Sequence, residues 1–436
     1  MTKSGKAGTT TWVDLTDFLS WEGHFTGIQR VVYSYAIRFA MDGARFIVYD
    51  AVGTRYVEVS ADFLQSLQQS DEGKSRQSLK HRLKSAAKKP YQRLPEDIKV
   101  YIRPMLHASG EVTHTFLDRV VYKNKAARSV FVGYPDADLQ RGDKVVLVGA
   151  GWNEEDALEA LCKIKQDVGV RIIQHINDIL PIYQPQLFAD ELPRIFTPYI
   201  DLALRNADIV TVISEATKRD VEIFCKERGI AAPHIKVVRL GEDLEQYNPV
   251  KPKGFSAQNA FILSVGTFEV RKNYLLLYQA AKLAQLEGKA IPDIIIVGRK
   301  GWLTEDLAHV IERDPLTQNK IHWLKKVSDS ELEWLYEHCM FTVFPSLCEG
   351  WGLPIVESLQ HGRMCLTSNV SAMLEVGDGI VDYFSPYDAR SCMEKILQYA
   401  KAKHYQEVNE RIERQHIAYT WDESYKSFVA ALALRT

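Results

Sequence analysis

The residues best placed to do chemistry lie in one stretch, Phe344-Pro345-Ser346-Leu347-Cys348-Glu349-Gly350-Trp351-Gly352-Leu353-Pro354-Ile355-Val356-Glu357. The apolar run 340–344 reads as a short buried strand. Two glycines and a proline follow it, and then a helical pattern over 355–361. A strand, a glycine-rich turn and a helix start, in that order, offer free backbone N–H groups and a positive dipole end, which together hold a phosphate. Glu349 falls in the turn, and Glu357, eight residues later, about one turn into the helix. Carboxylates beside a phosphate accept hydrogen bonds from hydroxyls, as the acidic residue of a Rossmann domain does for ribose. Phosphate plus two hydroxyl acceptors points to a sugar nucleotide, although the bare spacing also allows the acid/base pair of a hydrolase. Arg271 and Lys272, just after a predicted strand in the same half of the chain, supply cations. Cations at a helix start are unfavourable unless an anion is near, and a departing nucleoside diphosphate is such an anion. A solvated pair is the open alternative.

Two groups in the first half are candidates for the acceptor. Gly27 and Arg30 open a helical pattern through Val31, Val32, Tyr35, Ala36 and Phe39. They either approach a phosphate or hydroxyl, or make a turn and a solvated helix start. Arg171-Ile172-Ile173-Gln174-His175-Ile176-Asn177-Asp178 reads as a buried strand with a polar end. Polar residues beyond the carboxyl end of a parallel strand stand where ligands bind in open α/β sheets. That makes His175, Asn177 and Asp178 candidates for acceptor contact, and Asp178 for catalysis. The competing reading has Asp178 capping the next segment and His175 as a satisfied core histidine.

The elements that must carry these residues follow from length and pattern. A chain of 436 residues is too long for one ordinary core. Strands alternate with helices on both sides of the Pro-, Lys- and Gly-rich segment 248–254, which reads as a linker. Strands are expected at 11–15, 46–51, 55–59, 145–148, 171–178, 209–213 and 235–238, with a hairpin around Gly53-Thr54. After the linker they are expected at 260–265, 294–297, 321–324, 340–344 and 364–367. Helices are expected at 153–166, 197–206, after Ser214-Glu215 to about 228, and at 274–286, 329–338 and 421–434. The fold class is therefore α/β, two Rossmann-like parallel-sheet domains facing a cleft. The expected boundaries are 1–250, with a basic insertion around 61–130, then 255–415, and a final helix within 416–436.

Composition limits the partners. Net charge is −2, with 46% hydrophobic and 25% charged residues, which argues against a dedicated nucleic-acid binder. Six scattered cysteines without a Cys-x-x-Cys pair fit reduced thiols in a cytoplasm rather than a disulfide frame or a zinc site. No His/Cys/Asp cluster has metal spacing, no Walker motif occurs, and no Gly-x-Ser-x-Gly elbow occurs. No apolar run reaches the ~18 residues that span a bilayer, so membrane contact is expected to be peripheral. Between positions 74 and 103 there are ten Lys/Arg and two acids. That block either lies on anionic lipid or is a solvated insertion.

Gly266-Thr267-Phe268-Glu269-Val270-Arg271-Lys272-Asn273, then Val297-Gly298-Arg299, then the stretch from Pro345 to Glu357, together resemble family 4 of the glycosyltransferases, a retaining family of GT-B fold. The likeness is strong over about 255–385. It is looser in the first half, through Thr26-Gly27-Ile28-Gln29-Arg30-Val31-Val32 and Asp178-Ile179-Leu180-Pro181, which resemble segments of bacterial mannosyl- and rhamnosyltransferases of surface polysaccharide synthesis. The resemblance implies that Arg271 and Lys272 hold the donor diphosphate and Glu349 contacts the donor sugar. It implies that Gly350, Trp351 and Gly352 present backbone N–H groups, with Gly266 and Leu353 beside them, and that Glu357 binds the ribose. Arg299 and the Lys326-Val327 region would lie near the base. Many members carry a His-Asp pair where this chain has Asn177-Asp178, which ranks Asp178 above His175 as a catalytic group.

The implied reaction needs no cofactor or metal. The nucleotide sugar is a substrate, with GDP-mannose first and dTDP- or UDP-sugars as alternatives. The acceptor is an oligosaccharide or a lipid-linked saccharide, and the setting is cytoplasmic, at the inner face of the membrane. A phosphorylase or epimerase of the same fold, or a non-catalytic nucleotide-sugar-binding scaffold subunit, are the competing readings.

Overall fold

The computed structural model describes residues 9–19, 27–63, 131–243, 247–253, 255, 260–377 and 379–433. The basic block at 74–103, most of the expected insertion around 61–130, and Thr26 fall outside the described residues. By internal packing the chain divides into two units, Met1–His175 with Asn206–Asp208, and Ile176–Arg205 with Ile209–Thr436.

The first unit is built from β1 (Thr11–Asp14), α1 (Gly27–Met41), β2 (Arg45–Asp50), β3 (Arg55–Val59), β4 (Lys144–Leu147), α2 (Glu155–Val168) and β5 (Arg171–Ile176). The strands lie in the order β3-β2-β1-β4-β5. All pairs are parallel except the β2–β3 hairpin at the edge. Nearly every residue of β2, β4 and β5 is buried, as expected for strands covered on both faces. α1 buries Val31, Val32, Tyr35, Ala36 and Phe39, which is one stripe at helical spacing. The helix already includes Gly27, so this glycine opens α1 rather than forming a turn before it.

The second unit opens with α3 (Leu180–Tyr183), α4 (Glu191–Asn206), β6 (Ile209–Val212), α5 (Glu215–Glu227) and β7 (His234–Val237). It continues with β8 (Phe261–Val265), α6 (Tyr274–Leu286), β9 (Asp293–Val297), α7 (Glu305–Arg313), β10 (Ile321–Leu324) and α8 (Asp329–His338). Then come β11 (Thr342–Phe344), α9 (Leu353–Gln360), β12 (Cys365–Ser368), β13 (Asp382–Phe384), α10 (Ala389–Tyr399), α11 (Ala402–Gln415) and α12 (Trp421–Leu432). β6 and β7 pair in parallel. β8 to β13 form a six-stranded, wholly parallel sheet in the order β10-β9-β8-β11-β12-β13. The chain runs outward from β8 through β9 to β10, then returns to the other side of β8 to build β11. The β8/β11 boundary is therefore the topological switch point, outside whose carboxyl ends an open α/β sheet binds its ligand.

The helix expected at 197–206 begins earlier, at Glu191, and keeps Pro198 inside. Pro193 falls in its first turn, where no intrahelical N–H is needed. The Thr197 hydroxyl donates to the Pro193 carbonyl at 2.8 Å, an acceptor in the turn where Pro198 supplies no N–H. α7, β13, α10 and α11 were not anticipated. β13 has three residues, too few to show alternation. α10 is announced by Asp388, whose side chain accepts from the Ser391 amide. Among the described residues no helix is long and apolar enough to cross a membrane.

Candidate active site

Both segments that leave the switch point carry predicted site residues. After β8 the chain makes a single tight turn at Val270–Lys272, and Asn273 takes a left-handed conformation (φ 57°) before α6. The Asn273 side chain donates through Nδ2 to the carbonyls of Pro345 (3.0 Å) and Pro386 (2.9 Å), which clamps the segments together. The Leu347 amide donates to the Arg271 carbonyl at 2.9 Å. After β11 the turn runs to Gly352, which caps α9 at φ 143°, a conformation open to glycine alone. Pro354 occupies the first turn of α9, where its missing N–H is harmless. The Glu349 amide donates to Ser371 Oγ at 3.1 Å, and the Ser371 hydroxyl donates to the Glu349 carbonyl.

The side chains meet in one charge cluster. Arg271 Nη1 donates to Glu349 and to the Cys348 carbonyl (3.1 Å), and Nη2 donates to Glu269 Oε1 at 2.8 Å. Lys272 Nζ donates to Glu349 Oε1 at 2.7 Å. Glu349 is 8% exposed and Glu269 2%. Burial alone would raise the Glu349 carboxyl, but the Arg271 and Lys272 charges outweigh it and bring it down to about 2. Burial opposes the Arg271 charge, and Glu349 and Glu269 more than compensate, so the guanidinium is held well above its ordinary value. Burial raises the Glu269 carboxyl, against the pull of Arg271 and Lys272.

Asp178 joins this cluster. A Cβ on Gly350 would come within 2.6 Å of the Asn177 carbonyl and 2.8 Å of the Asp178 Cβ. Only glycine lets the turn lie this close to the segment after β5. Asp178 accepts from the Leu180 amide at 3.1 Å, as the capping alternative foresaw. Its carboxyl is raised by burial, pulled down by Arg271 and Lys272, and pushed up again by Glu349. The site thus sets three carboxylates, Asp178, Glu269 and Glu349, around two cations. Leu180, Leu187 and Phe188 pack on Cys348, Leu347, Val270 and Trp302, and the Trp302 indole donates to the Leu187 carbonyl at 2.9 Å. These contacts hold the Asp178 segment against both loops.

The remaining predicted residues take the following places. Gly266 and Gly298 cross so closely that a Cβ on Gly298 would lie 1.9 Å from the Gly266 carbonyl oxygen. Arg299 is exposed beyond β9, and Val327 packs on the Phe261–Leu263 core cluster. The Trp351 ring is buried under the guanidinium of Arg239, 5.5 Å from its centroid. Leu353 is the first residue of α9, and Glu357, 8% exposed, accepts from the Tyr336 hydroxyl at 2.8 Å.

Gly27 and Arg30 stand in the first turn of α1, in the first unit. His175 is 2% exposed, edge-on to Tyr35 at 5.5 Å. Burial lowers its ring to about 3, so it is neutral near pH 7. Sequence reasoning missed Glu269, Ser371 and Tyr336. In the first unit, burial pushes the carboxyl of Asp14 at the end of β1 up to about 6. Glu269 sits inside the motif that was read, but its partner shows only in three dimensions. Among the described residues no group of three or more His, Cys, Asp or Glu is placed to hold a metal ion.

The family Glycosyl transferases group 1 matches residues 249–415. The serotype-specific mannosyltransferase WbdA of Escherichia coli is 28% identical over 239 residues, covering 51% of this chain and 29% of that protein. The O-antigen chain mannosyltransferase B of Escherichia coli is 35% identical over 162 residues, 37% of this chain and 42% of that protein. The chain thus spans less than half the length of these relatives. The crystal structure of Anabaena HepE in complex with UDP and glucose aligns over 98% of this chain and 100% of that one, with a TM-score of 0.57 at 15% identity. That likeness speaks for the fold alone. Residues 249–415 thus match the Glycosyl transferases group 1 family, and the fold, with its parallel-sheet α/β units, is the one seen in the HepE structure.

Proposed function

We propose that the chain is a retaining glycosyltransferase that moves a hexose from a nucleotide sugar to a saccharide or lipid-linked acceptor in bacterial surface polysaccharide synthesis. One observation carries this reading. Arg271 and Lys272 converge on the Glu349 carboxylate at the glycine turn, at the switch point of a parallel sheet. Mannose from GDP-mannose is the first donor to try, since one relative is a serotype-specific mannosyltransferase and another an O-antigen chain mannosyltransferase. The cytoplasm is the proposed setting, and the six free, buried cysteines support it.

In this reading the acceptor oxygen bonds to the anomeric carbon on the face from which the diphosphate departs. The bond from that carbon to the phosphate oxygen breaks, and the acceptor proton passes to the leaving phosphate. Arg271, Lys272 and the backbone N–H groups of Gly350–Gly352 take up the leaving group's charge without a metal or cofactor. Glu349 orients the sugar and Asp178 contacts the reacting hydroxyls.

The test is incubation with GDP-mannose, then with UDP- and dTDP-sugars, beside lipid-linked saccharide acceptors. Nucleoside diphosphate release and product configuration are followed. The expected result is release with one donor and a product of unchanged anomeric configuration. An inverted product overturns the retaining mechanism. No turnover with any donor, and no protection against unfolding by any nucleoside diphosphate, overturns the whole reading.

A further inference from the structure

Glu357 is a buried carboxylate on α9, and a buried charge needs donors. The hydroxyl of Tyr336, which reaches across from α8, supplies one at 2.8 Å. Tyr336 is itself 2% exposed and is held on several sides. The His361 ring stacks flat on it, with centroids 4.6 Å apart and planes at 13°. His361 Nε2 lies 3.1 Å from Glu333 on α8, and Nδ1 lies 2.6 Å from the Glu357 carbonyl. Arg363 Nε donates to the Tyr336 carbonyl at 3.1 Å. These contacts lock the facing turns of α8 and α9 in one register, with the phenol pointing at the carboxylate. Burial, and then the Glu357 charge, keep the phenol protonated, so it acts as a donor throughout the working pH range.

We propose that Tyr336 is the positioning residue for Glu357, and that this pair makes the site select ribonucleotide donors over donors lacking ribose hydroxyls. The proposal rests on the reading above, in which Glu357 accepts from the ribose. A carboxylate already fixed in plane and rotamer loses little freedom when hydroxyls dock on it. Without the phenol it loses the donor that fixes its plane.

Calorimetric titration with GDP and UDP, each beside its 2′,3′-dideoxy counterpart, tests this on the full chain. The wild type should bind the ribose form about tenfold or more tightly than the dideoxy form, the scale of one hydrogen bond to a charged group. In Tyr336→Phe that ratio should fall to about threefold or less, with the dideoxy affinity unchanged as the sign of an intact site. His361→Gln, which removes the ring stack and keeps the hydroxyl, should give an intermediate ratio, and it serves alone if the Phe variant does not fold. A wild-type ratio in the variants overturns the proposal and leaves the glycosyltransferase reading standing. A wild type that binds both forms equally overturns the ribose role of Glu357, and the proposal with it. No binding of either diphosphate counts against the donor reading itself.

Discussion

At the scale of single residues, charge compensation governs the site. Glu349 is ionised because Arg271 and Lys272 outweigh its burial, and its carboxyl drops from 4.5 to about 2 on folding. A depressed carboxylate contributes stability that is fully present above its unfolded value and is lost as pH falls through its folded value. The contribution should therefore hold at pH 6 and fade between about pH 4.5 and pH 2. Urea unfolding of wild type and Glu349→Gln should show a stability gap at pH 6 that narrows below about pH 4.5 and closes only near pH 2. A gap independent of pH would mean that the ion pairs do not hold this carboxylate. Arg271, Lys272 and Glu349, which the structure brings together, were legible in the sequence because each sits beside a glycine turn or a helix start that explains it. Glu269 and Tyr336 were not legible. A lone carboxylate two residues before an arginine, and a tyrosine on an amphipathic helix, look like ordinary surface and core residues until their partners are placed.

At the scale of elements, glycine sets how closely the loops approach. Gly350 lies against the Asn177 carbonyl and Asp178 with no room for a Cβ, and both neighbours are fixed, the one as backbone and the other by its bond to the Leu180 amide. Gly350→Ala should destabilise the fold by about 1–3 kcal/mol, as overpacking does, and should weaken nucleoside diphosphate binding more than a surface Gly→Ala change. Thermal melts and titration of the variant check this, and an unperturbed variant would contradict the close approach. Helices 274–286 and 329–338 and strand 321–324 were read to the residue, since apolar periodicity and, for α8, the Ser328 capping box mark their ends. α4 was cut short because two prolines hid its first turns. α11, strongly polar outside its buried stripe, has no apolar run to announce it.

At the scale of the whole molecule, the order of strands and helices was legible in both halves because parallel strands buried on two faces read as continuous apolar runs. The switch point between β8 and β11 was not, since strand order depends on packing rather than on local pattern. Yet this reversal brings 266–273 and 345–352 to one edge, and it turns two separate motifs into one site. There, in the proposed reaction, Arg271 and Lys272 bear the charge of a departing nucleoside diphosphate. The most direct measurement is kcat/KM for the nucleotide sugar in wild type and in Lys272→Ala. Loss of one charge-stabilising group costs about a hundred- to a thousandfold, so a drop of that size is expected, with the fold intact by circular dichroism. A folded Lys272→Ala variant within twofold of wild type would contradict it.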